Sequence, residues 1–381
     1  METGSCGSPV ALDAKDDVWK EGGSSIGISR LEVVKSLPRF SPSRSVPCVS
    51  PTEAQKEALA ALPQILFVLG KGGVGRSTVA TALGLMLAER GERVLIMEWT
   101  VEESIAPWFG KASMDSERAG QWAWIPKPME ISPGVAVFNY RLREALRGYF
   151  VDHLGLATFY KRVIDGPHMQ RLIEAAPGIA ELLFIGQLWW MTNLAEAEAG
   201  MKFDRIVVDA PATGHGASLL DLPATLSTIG ATGLLALEVQ RVVGMLRDPK
   251  LTGAIVVSLP EELAVEETIE LVPRVTKDLG RAPLAAIVNR SVTGLIGAAP
   301  TGARFEQLAL SADARDGLEL VQNDLRTRAR FESELRQHLA GRVARGVFSL
   351  PEQLAVRGAC TPRQTAEALS AVLALQLGGG A

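Results

Sequence analysis

The chain has few of the residues on which disulfide-stabilised or metal-stabilised proteins depend. Among its 381 residues there are only three cysteines and four histidines. Cys6, Cys48 and Cys360 lie far apart and form no Cys-x-x-Cys pair, so we expect free thiols in a reducing compartment. Three of the four histidines stand outside any motif and show no metal-ligand spacing with one another, which disfavours a histidine-based metal site.

The chain also lacks a long apolar run and an excess of positive charge. Its most apolar stretch, residues 179–194, is interrupted by Glu181 and Gln187 and is shorter than the roughly 20 apolar residues that cross a bilayer. No basic segment followed by an apolar run opens the sequence, so no secretory signal is expected. The net charge of -4 gives no positive field for nucleic acid. We therefore predict a cytoplasmic protein that does not bind nucleic acid.

Hydrophobic residues make up 47% of the chain and are sufficient for one sizeable core or at most two domains. Residues 1–50 mix Ser, Gly, Pro and charge without a sustained period, and we predict a disordered tail or linker. Residues 51–62 are predicted to form a short helix. The following residues, 63–375, are predicted to form one domain.

Short apolar runs that alternate with helical stretches predict a doubly wound α/β fold. The run Ile-Leu-Phe-Val-Leu at 65–69 is typical of a strand buried on both faces of a parallel sheet, and residues 77–89 have a helical pattern. Such alternation implies right-handed crossovers, a mostly parallel sheet and a ligand at the carboxyl ends of the strands. Seven further runs are interpreted as strands, at residues 93–97, 134–138, 205–209, 233–237, 254–259, 284–288 and 347–350.

Residues 139–200 break this alternation, because apolar residues recur there every three or four positions and predict a helical insertion. We interpret its apolar faces as core more readily than as a groove for a client, because most amphipathic helices bury their apolar face within the fold. The adjacent Trp189 and Trp190 are interpreted either as packing residues or as contacts for an apolar partner segment. The charged residues 300–345 are predicted to form surface helix.

The strongest motif is a glycine-rich loop between the first predicted strand and the first predicted helix. Its glycines permit backbone conformations closed to other residues and let N–H groups point at an anion, while the helix N-terminus adds partial positive charge. Such a P-loop is predicted to hold a nucleoside triphosphate, with the Ser77 hydroxyl on Mg²⁺ and Thr78 on an inner phosphate. The predicted phosphate-binding residues are Gly70, Lys71, Gly72, Gly73, Val74, Gly75, Arg76, Ser77 and Thr78.

A second motif ends a later strand, where Asp209 is followed by Ala-Pro-Ala-Thr-Gly-His at 210–215. A carboxylate in this position can hold Mg²⁺ through water and sense the outermost phosphate. By itself, a strand-end Asp is as often a helix cap, but its pairing with the phosphate loop favours the metal-linked role. His215 is interpreted equally as a structural hydrogen-bonding group of this loop or as a part of the mechanism.

The two motifs and their spacing resemble the ArsA-type ATPases, the family of arsenical-pump and tail-anchored-protein-targeting ATPases. The resemblance covers about residues 63–375 and implies a P-loop NTPase domain with a helical insertion. It extends to Val288-Asn289-Arg290, where the family places an Asn on the adenine. It also extends to residues 349–358, which contain Pro351 and resemble the family's late loop against the base.

The resemblance implies a mechanism and an assembly as well as a fold. Lys71, Arg76 and Asp209 are implied as catalytic residues. ATP is implied at the phosphate loop, with Mg²⁺ held by Ser77 and, through water, by Asp209. It also implies a dimer in which two subunits enclose two nucleotides and Lys71 reaches the phosphates of the partner. The paired cysteines by which some members bind a zinc ion between subunits are absent, so we predict no structural zinc.

Two residues depart from the family pattern. Arg76 stands where the family has Lys, which keeps the charge but replaces a compact ammonium by a planar fork. Thr100 stands where the family has the Asp that positions the attacking water. Glu98, Glu102 or Glu103 could substitute for that Asp, but a longer side chain must then hold water in line with the phosphate. Hydrolysis is therefore predicted less firmly than ATP binding.

The main hypothesis is a Mg-ATP-binding, ATP-hydrolysing dimeric switch of the ArsA type. The alternative is a nucleotide-binding but catalytically weak subunit that acts as a regulatory partner of a paralogous ATPase, so both a homodimer and a heterodimer are carried forward. A partitioning or cell-division positioning ATPase is a weaker third hypothesis, since no basic surface or terminal amphipathic helix is evident. A membrane protein or another apolar client is the partner considered, whereas arsenite is disfavoured because the cysteines offer no thiolate trio.

Overall fold

A computed structural model describes residues 61–99, 104–111, 128–153, 155–166, 168–169, 178–211, 234–293, 311–353 and 361–378. Within these residues, eight strands form one sheet. The strands are β1 (Ile65–Leu69), β2 (Val94–Glu98), β3 (Met129–Ser132), β4 (Val135–Asn139), β5 (Arg205–Asp209), β6 (Thr252–Ser258), β7 (Ala285–Ser291) and β8 (Val347–Pro351). The predicted tail at 1–50 and nearly all of the predicted helix at 51–62 lie outside the described residues.

The order of the strands makes the fold doubly wound. Across the sheet the order is β3-β4-β2-β5-β1-β6-β7-β8, and every neighbouring pair is parallel except β3 with β4. From β1 the chain first builds outward on one side, through β2 to β4, and later on the other side, through β6 to β8. Ligands of such sheets bind at the carboxyl end of the strand where the direction of winding reverses, which is β1 here. The predicted mostly parallel α/β fold is confirmed.

Helices connect the strands and cover both faces of the sheet. The two longest described helices are Glu262–Leu279 and Ala312–Leu339. Short π-helical segments, Gly148–His153 and Tyr160–Ile164, follow the helices Leu142–Arg147 and Ala157–Phe159. The helices are α1 (Arg76–Ala88), α2 (Ile105–Trp108), α3 (Leu142–Arg147), α4 (Ala157–Phe159), α5 (Ile179–Asn193), α6 (Ala195–Ala199), α7 (Leu234–Arg247), α8 (Glu262–Leu279), α9 (Ala312–Leu339) and α10 (Pro362–Gly378).

Two apolar cores arise because alternate residues of a strand point to opposite faces of the sheet. In β1, Ile65, Phe67 and Leu69 belong to one core, together with residues of α5, α7, α8 and α9. Leu66 and Val68 belong to the other core, which contains most of α1 and the buried face of α10. The continuous apolar run of β1 is therefore explained by burial on both faces, as predicted.

Two assignments from the sequence are wrong. Residues 233–237 were interpreted as a strand, but the chain from Leu234 to Arg247 forms α7. Beyond this run, Val242, Met245 and Leu246 are buried at the spacing of a helix. The five residues of the run alone do not show that spacing. The antiparallel edge strand β3 was missed, because its sequence Met-Glu-Ile-Ser carries only a weak apolar alternation.

Within residues 139–200, the described part of the chain contains α3 to α6 and the two π-helical segments. Its apolar residues serve mainly as core: Ile185, Leu188 and Met191 are buried against the sheet. Trp190 is buried and donates to Glu198, and Trp189 is partly buried beneath the Arg241 guanidinium, so both tryptophans pack within the fold. Helix α9 is mostly exposed in its first half. Among the helices described, none combines the length and the apolar character needed to cross a membrane.

Candidate functional site

The glycine-rich loop lies at the carboxyl end of β1 and leads directly into α1. Gly70 and Gly75 both have positive φ angles, +157° and +88°, and neither position has room for a Cβ. At Gly70 a Cβ would meet the Val257 carbonyl of β6, and at Gly75 it would meet the Asn289 amide of β7. Helix α1 has no side-chain cap and no acidic residue in its first turn. Its N-terminal N–H groups are therefore available to bind an anion.

Ser77 and Asp209 come together next to this loop. The Ser77 hydroxyl donates to Asp209 Oδ2 at 2.5 Å, and Asp209 is buried at the end of β5. Burial raises the pKa of Asp209 to about 6, although the Ser77 hydrogen bond and the Arg76 charge oppose the rise. Asp209 Oδ1 is also buried and has no hydrogen-bond partner within the described part of the chain. A buried carboxylate oxygen without a partner is costly and is suited to a cation or its water ligand.

Arg76 does not extend freely into the loop. Its guanidinium donates to the Ala210 carbonyl at 2.5 Å, directly after the strand that carries Asp209. Burial lowers the pKa of Arg76 from its ordinary value, while the Asp209 carboxylate opposes that shift. The guanidinium stays charged nonetheless. Arg76 therefore links the start of α1 to the end of β5 and balances part of the Asp209 charge.

Glu98 lies beside Asp209, because these residues are register partners on the adjacent parallel strands β2 and β5. Its Oε1 accepts hydrogen bonds from the Ser104 hydroxyl at 2.9 Å and from the amides of Ser104 and Ile105 at 3.2 Å each. Burial raises the pKa of Glu98 to about 7; the Asp209 charge adds to the rise, and the bonds from Ser104 and Ile105 oppose it. Glu98 thus ties the end of β2 to the start of α2. Thr100, Glu102 and Glu103 lie outside the described residues.

Asn289 joins β7 to the phosphate loop. Its amide donates to the Val74 carbonyl at 2.9 Å, and its Oδ1 accepts from the Arg290 amide at 3.0 Å. Arg290 adopts a φ of +52°, which turns the chain at this point. Pro351, at the exposed end of β8, is the register partner of Ser291, so both residues predicted at the base lie at the same edge of the sheet. Val74 is buried, and Asn289 therefore holds the middle of the loop.

Lys71 and Thr78 complete the predicted set. The Lys71 ammonium forms an ion pair with Glu267 of α8 at 2.8 Å, and Thr78 lies in the first turn of α1. Sequence reasoning missed Glu267, because Glu266-Glu267 reads as an ordinary solvated charge pair on a helix. His215 lies outside the described residues.

A further buried carboxylate at this edge was also missed. Glu332 of α9 accepts hydrogen bonds from the hydroxyls of Ser291, at the end of β7, and Ser349, in the middle of β8. It also forms an ion pair with Arg336 at 3.3 Å. Burial alone would raise the pKa of Glu332, but bonds from Ser349, Thr293 and Ser291 and the Arg336 charge outweigh it, so the pKa is lowered. The sequence held no signal for this cluster beyond the spacing of Glu332 and Arg336.

Comparison with known proteins agrees with this geometry. The family described as anion-transporting ATPase, ArsA_ATPase, matches residues 63–232, which include the glycine-rich loop, Glu98 and Asp209. The ATPase BagA of Mycobacterium tuberculosis is 28% identical over 278 residues, which are 68% of this chain and 73% of BagA. An arsenical pump-driving ATPase of Escherichia coli is 28% identical over 222 residues, 54% of this chain and 36% of that protein.

A eukaryotic relative shows the same similarity over a shorter span. The protein named ATPase ASNA1 homolog 2, of Paramecium tetraurelia, is 29% identical over 163 residues, 42% of this chain and 43% of its own length. The phosphate loop at the reversal point of the sheet, the Ser77–Asp209 contact and the family match point to one conclusion. Residues 63–232 match the anion-transporting, or ArsA-type, ATPase family, and this match and the relatives named ATPase support an ATP-hydrolysing enzyme.

Proposed function

We propose that the protein is a Mg-ATP-dependent dimeric switch of the ArsA type. The observation that carries this proposal is the buried contact between Ser77 and Asp209 beside the glycine-rich loop, with Asp209 Oδ1 left without a partner. A hydroxyl and a carboxylate are the oxygen ligands that Mg²⁺ takes in proteins. The residues present therefore fit the ion, with Ser77 as a direct ligand and Asp209 as a ligand through water.

The loop residues would supply positive charge and backbone donors to the phosphates of ATP. Bound Mg²⁺ would neutralise charge on the outer phosphates. Lys71, Arg76 and the amides of the loop would stabilise the charge that develops during transfer. In the reaction, a water oxygen bonds to the γ-phosphorus, the bond from that phosphorus to the bridging oxygen breaks, and the water proton passes to the released phosphate. Arg76 Nη1 donates to the Ala210 carbonyl, so a phosphate would be contacted through the remaining N–H groups of the guanidinium.

The base end of the site is proposed at Asn289 and Pro351. Asn289 uses one amide hydrogen and one oxygen lone pair within the protein, and an amide side chain has a second of each. That remaining capacity is suited to the edge of an adenine ring. Because Asn289 also holds Val74, base binding and the shape of the phosphate loop would be linked through one side chain.

The experiment that tests this function combines nucleotide-binding calorimetry with steady-state ATP hydrolysis in the presence of Mg²⁺. Wild type is expected to bind ATP and to turn it over, and Lys71→Ala is expected to bind ATP without turnover. Lys111→Ala, which removes the same charge from an exposed position, is the matched control and should behave as wild type. Absence of nucleotide binding by wild type would refute the proposed function.

A second candidate is a nucleotide-binding, catalytically weak subunit that regulates a paralogous ATPase. Arg76 favours it, because its guanidinium is engaged with Ala210 and differs in shape from the family's lysine. Thr100, where the family has Asp, favours it as well. Under this hypothesis ATP binds normally and turnover remains very slow in isolated protein.

A double replacement separates the two candidates. Arg76→Lys with Thr100→Asp should raise turnover by at least about tenfold if the rest of the pocket is competent, because it restores both groups that align the reaction. Unchanged turnover in a double variant that still binds ATP would argue that these two residues are not what limits the chain. The cytoplasmic location and the apolar client remain predictions.

A further inference from the structure

Lys71 has a defined partner within its own subunit. Its ammonium lies 2.8 Å from Glu267 Oε1, and the two side chains are 32% and 43% exposed. Lys71 follows β1 and Glu267 lies on α8, which follows β6, the neighbouring parallel strand. The pair therefore spans the same sheet edge at which the phosphate loop lies.

Glu267 is presented by a rigid element. Helix α8 buries Ala264, Val265, Thr268 and Leu271 against the sheet, so the backbone that carries Glu267 is fixed relative to the loop. An exposed lysine ordinarily samples many rotamers. Here the carboxylate of Glu267 selects those that direct Lys71 towards α8 of its own subunit.

The strength of this contact suits a temporary role. A partly exposed ion pair contributes little to stability, because water and salt screen it. A triphosphate carries several negative charges and attracts an ammonium more strongly than one carboxylate does. Glu267 holds the ammonium against α8 of its own subunit, whereas a phosphate bound by another subunit would draw it away from α8, so the two contacts compete.

We propose that Glu267 is a positioning residue for Lys71: it holds the loop lysine within its own subunit and releases it to the nucleotide bound by the partner copy. This inference rests on the proposed dimeric switch and adds a residue to it. Each subunit must break the Lys71–Glu267 pair before the dimer closes. The charge of Glu267 therefore weakens nucleotide-dependent dimerisation.

The test is the dimer dissociation constant of the full chain with Mg²⁺ and a non-hydrolysable ATP analogue, measured by sedimentation equilibrium. Glu267→Gln is expected to tighten the dimer about two- to 30-fold, because two exposed ion pairs, each worth up to about fivefold, break for every dimer that closes. The gain should disappear in a Lys71→Ala background, as in a double-mutant cycle, and should shrink at high salt. Glu270→Gln removes the same charge three residues further along α8 and should leave the constant unchanged.

Each other result overturns the inference. An unchanged or weaker dimer in Glu267→Gln contradicts the proposed competition between Glu267 and the phosphate for Lys71. A gain in dimer affinity that persists in the Lys71→Ala background would come from the change in overall charge and not from Lys71. Calorimetry with the same analogue separates this failure from failure of the proposed function. If wild type binds no nucleotide, or stays monomeric with nucleotide bound, the dimeric switch itself is refuted and the inference with it.

Discussion

Two buried carboxylates at the carboxyl edge of one sheet differ in their hydrogen-bond partners and in the direction of their pKa shifts. Glu332 is surrounded by the hydroxyls of Ser291 and Ser349 and by Arg336, and its pKa is lowered. Asp209 has one hydroxyl on one oxygen and no partner for the other among the described residues, and its pKa is raised to about 6. A satisfied buried charge belongs to the framework, whereas an unsatisfied one stores a cost that a ligand can relieve.

The largest expected effect comes from Asp209→Asn. Loss of the carboxylate should lower the turnover number for ATP between about 100- and 1,000-fold, the range for removing a group that stabilises transition-state charge. Folding should be retained or improved, because a buried charge with few partners is removed. Steady-state kinetics at saturating Mg-ATP and thermal unfolding of the same sample measure both. A strongly destabilised Asp209→Asn protein would contradict the comparison.

Glu332→Ala should show the reverse pattern. It removes the acceptor of Ser291 and Ser349 and leaves the Arg336 charge without its partner, so the free energy of unfolding should fall by about 3 kcal/mol. Turnover at saturating ATP should stay close to that of wild type. Urea denaturation checks the first expectation, with Glu319→Ala on the exposed part of α9 as the control. If Glu332→Ala and Glu319→Ala lowered the free energy of unfolding equally, Glu332 would have no special structural role.

The pH dependence of stability should also differ between the regions. The folded pKa of Glu98, about 7, exceeds its unfolded value, so the folded state binds more protons and the free energy of unfolding falls as pH rises from about 4.5 to 7. Glu332 has the opposite sign, and its contribution is lost as pH falls. Glu98→Gln keeps the Oε1 acceptor but does not titrate. Its free energy of unfolding should therefore rise relative to that of wild type by on the order of 2 kcal/mol between pH 5 and pH 8.

Thermal and urea unfolding of wild type and Glu98→Gln at pH 5 and pH 8 measure this difference. If the difference in stability between the two proteins were the same at pH 5 and at pH 8, Glu98 would be ionised normally in the folded state. The expected outcome is a gap between the proteins that opens only as pH rises.

The smallest expected effect concerns the hydrogen bond by which Asn289 of β7 holds Val74 of the phosphate loop. Gly75→Ala and Gly73→Ala introduce the same strain, since φ is +88° and +85°, but only at Gly75 would the new Cβ meet the Asn289 amide. Gly75→Ala should therefore cost about 1 kcal/mol more than Gly73→Ala, the value of the Asn289–Val74 hydrogen bond. Urea denaturation of both variants gives the difference. Identical losses would mean that Asn289 adapts without losing Val74.

The sequence predicted the parts of the site that depend on local pattern. The apolar run of β1, the glycines after it and the strand-end Asp209 each follow from backbone geometry or from burial on both faces of a sheet. It could not predict which charged residues meet across the sheet edge. Glu98, Glu267 and Glu332 are brought to their partners by strand order and helix packing, which link residues up to 196 positions apart, as with Lys71 and Glu267.

The error at 233–237 has a similar cause. A short apolar run fits a buried strand or a buried helix equally well, and only the burial pattern further along, at Val242, Met245 and Leu246, separates them. The roles of Arg76 and Thr100 depend on side-chain shape at the phosphate, which a motif does not encode.

The most direct test of the central claim is the rate of ATP hydrolysis by wild-type protein with Mg²⁺ and with Mg²⁺ removed by chelation. The Ser77–Asp209 geometry predicts turnover with Mg²⁺, its loss on chelation, and its loss in Ser77→Ala even when Mg²⁺ is present. Turnover that is unaffected by chelation and by Ser77→Ala would contradict the account.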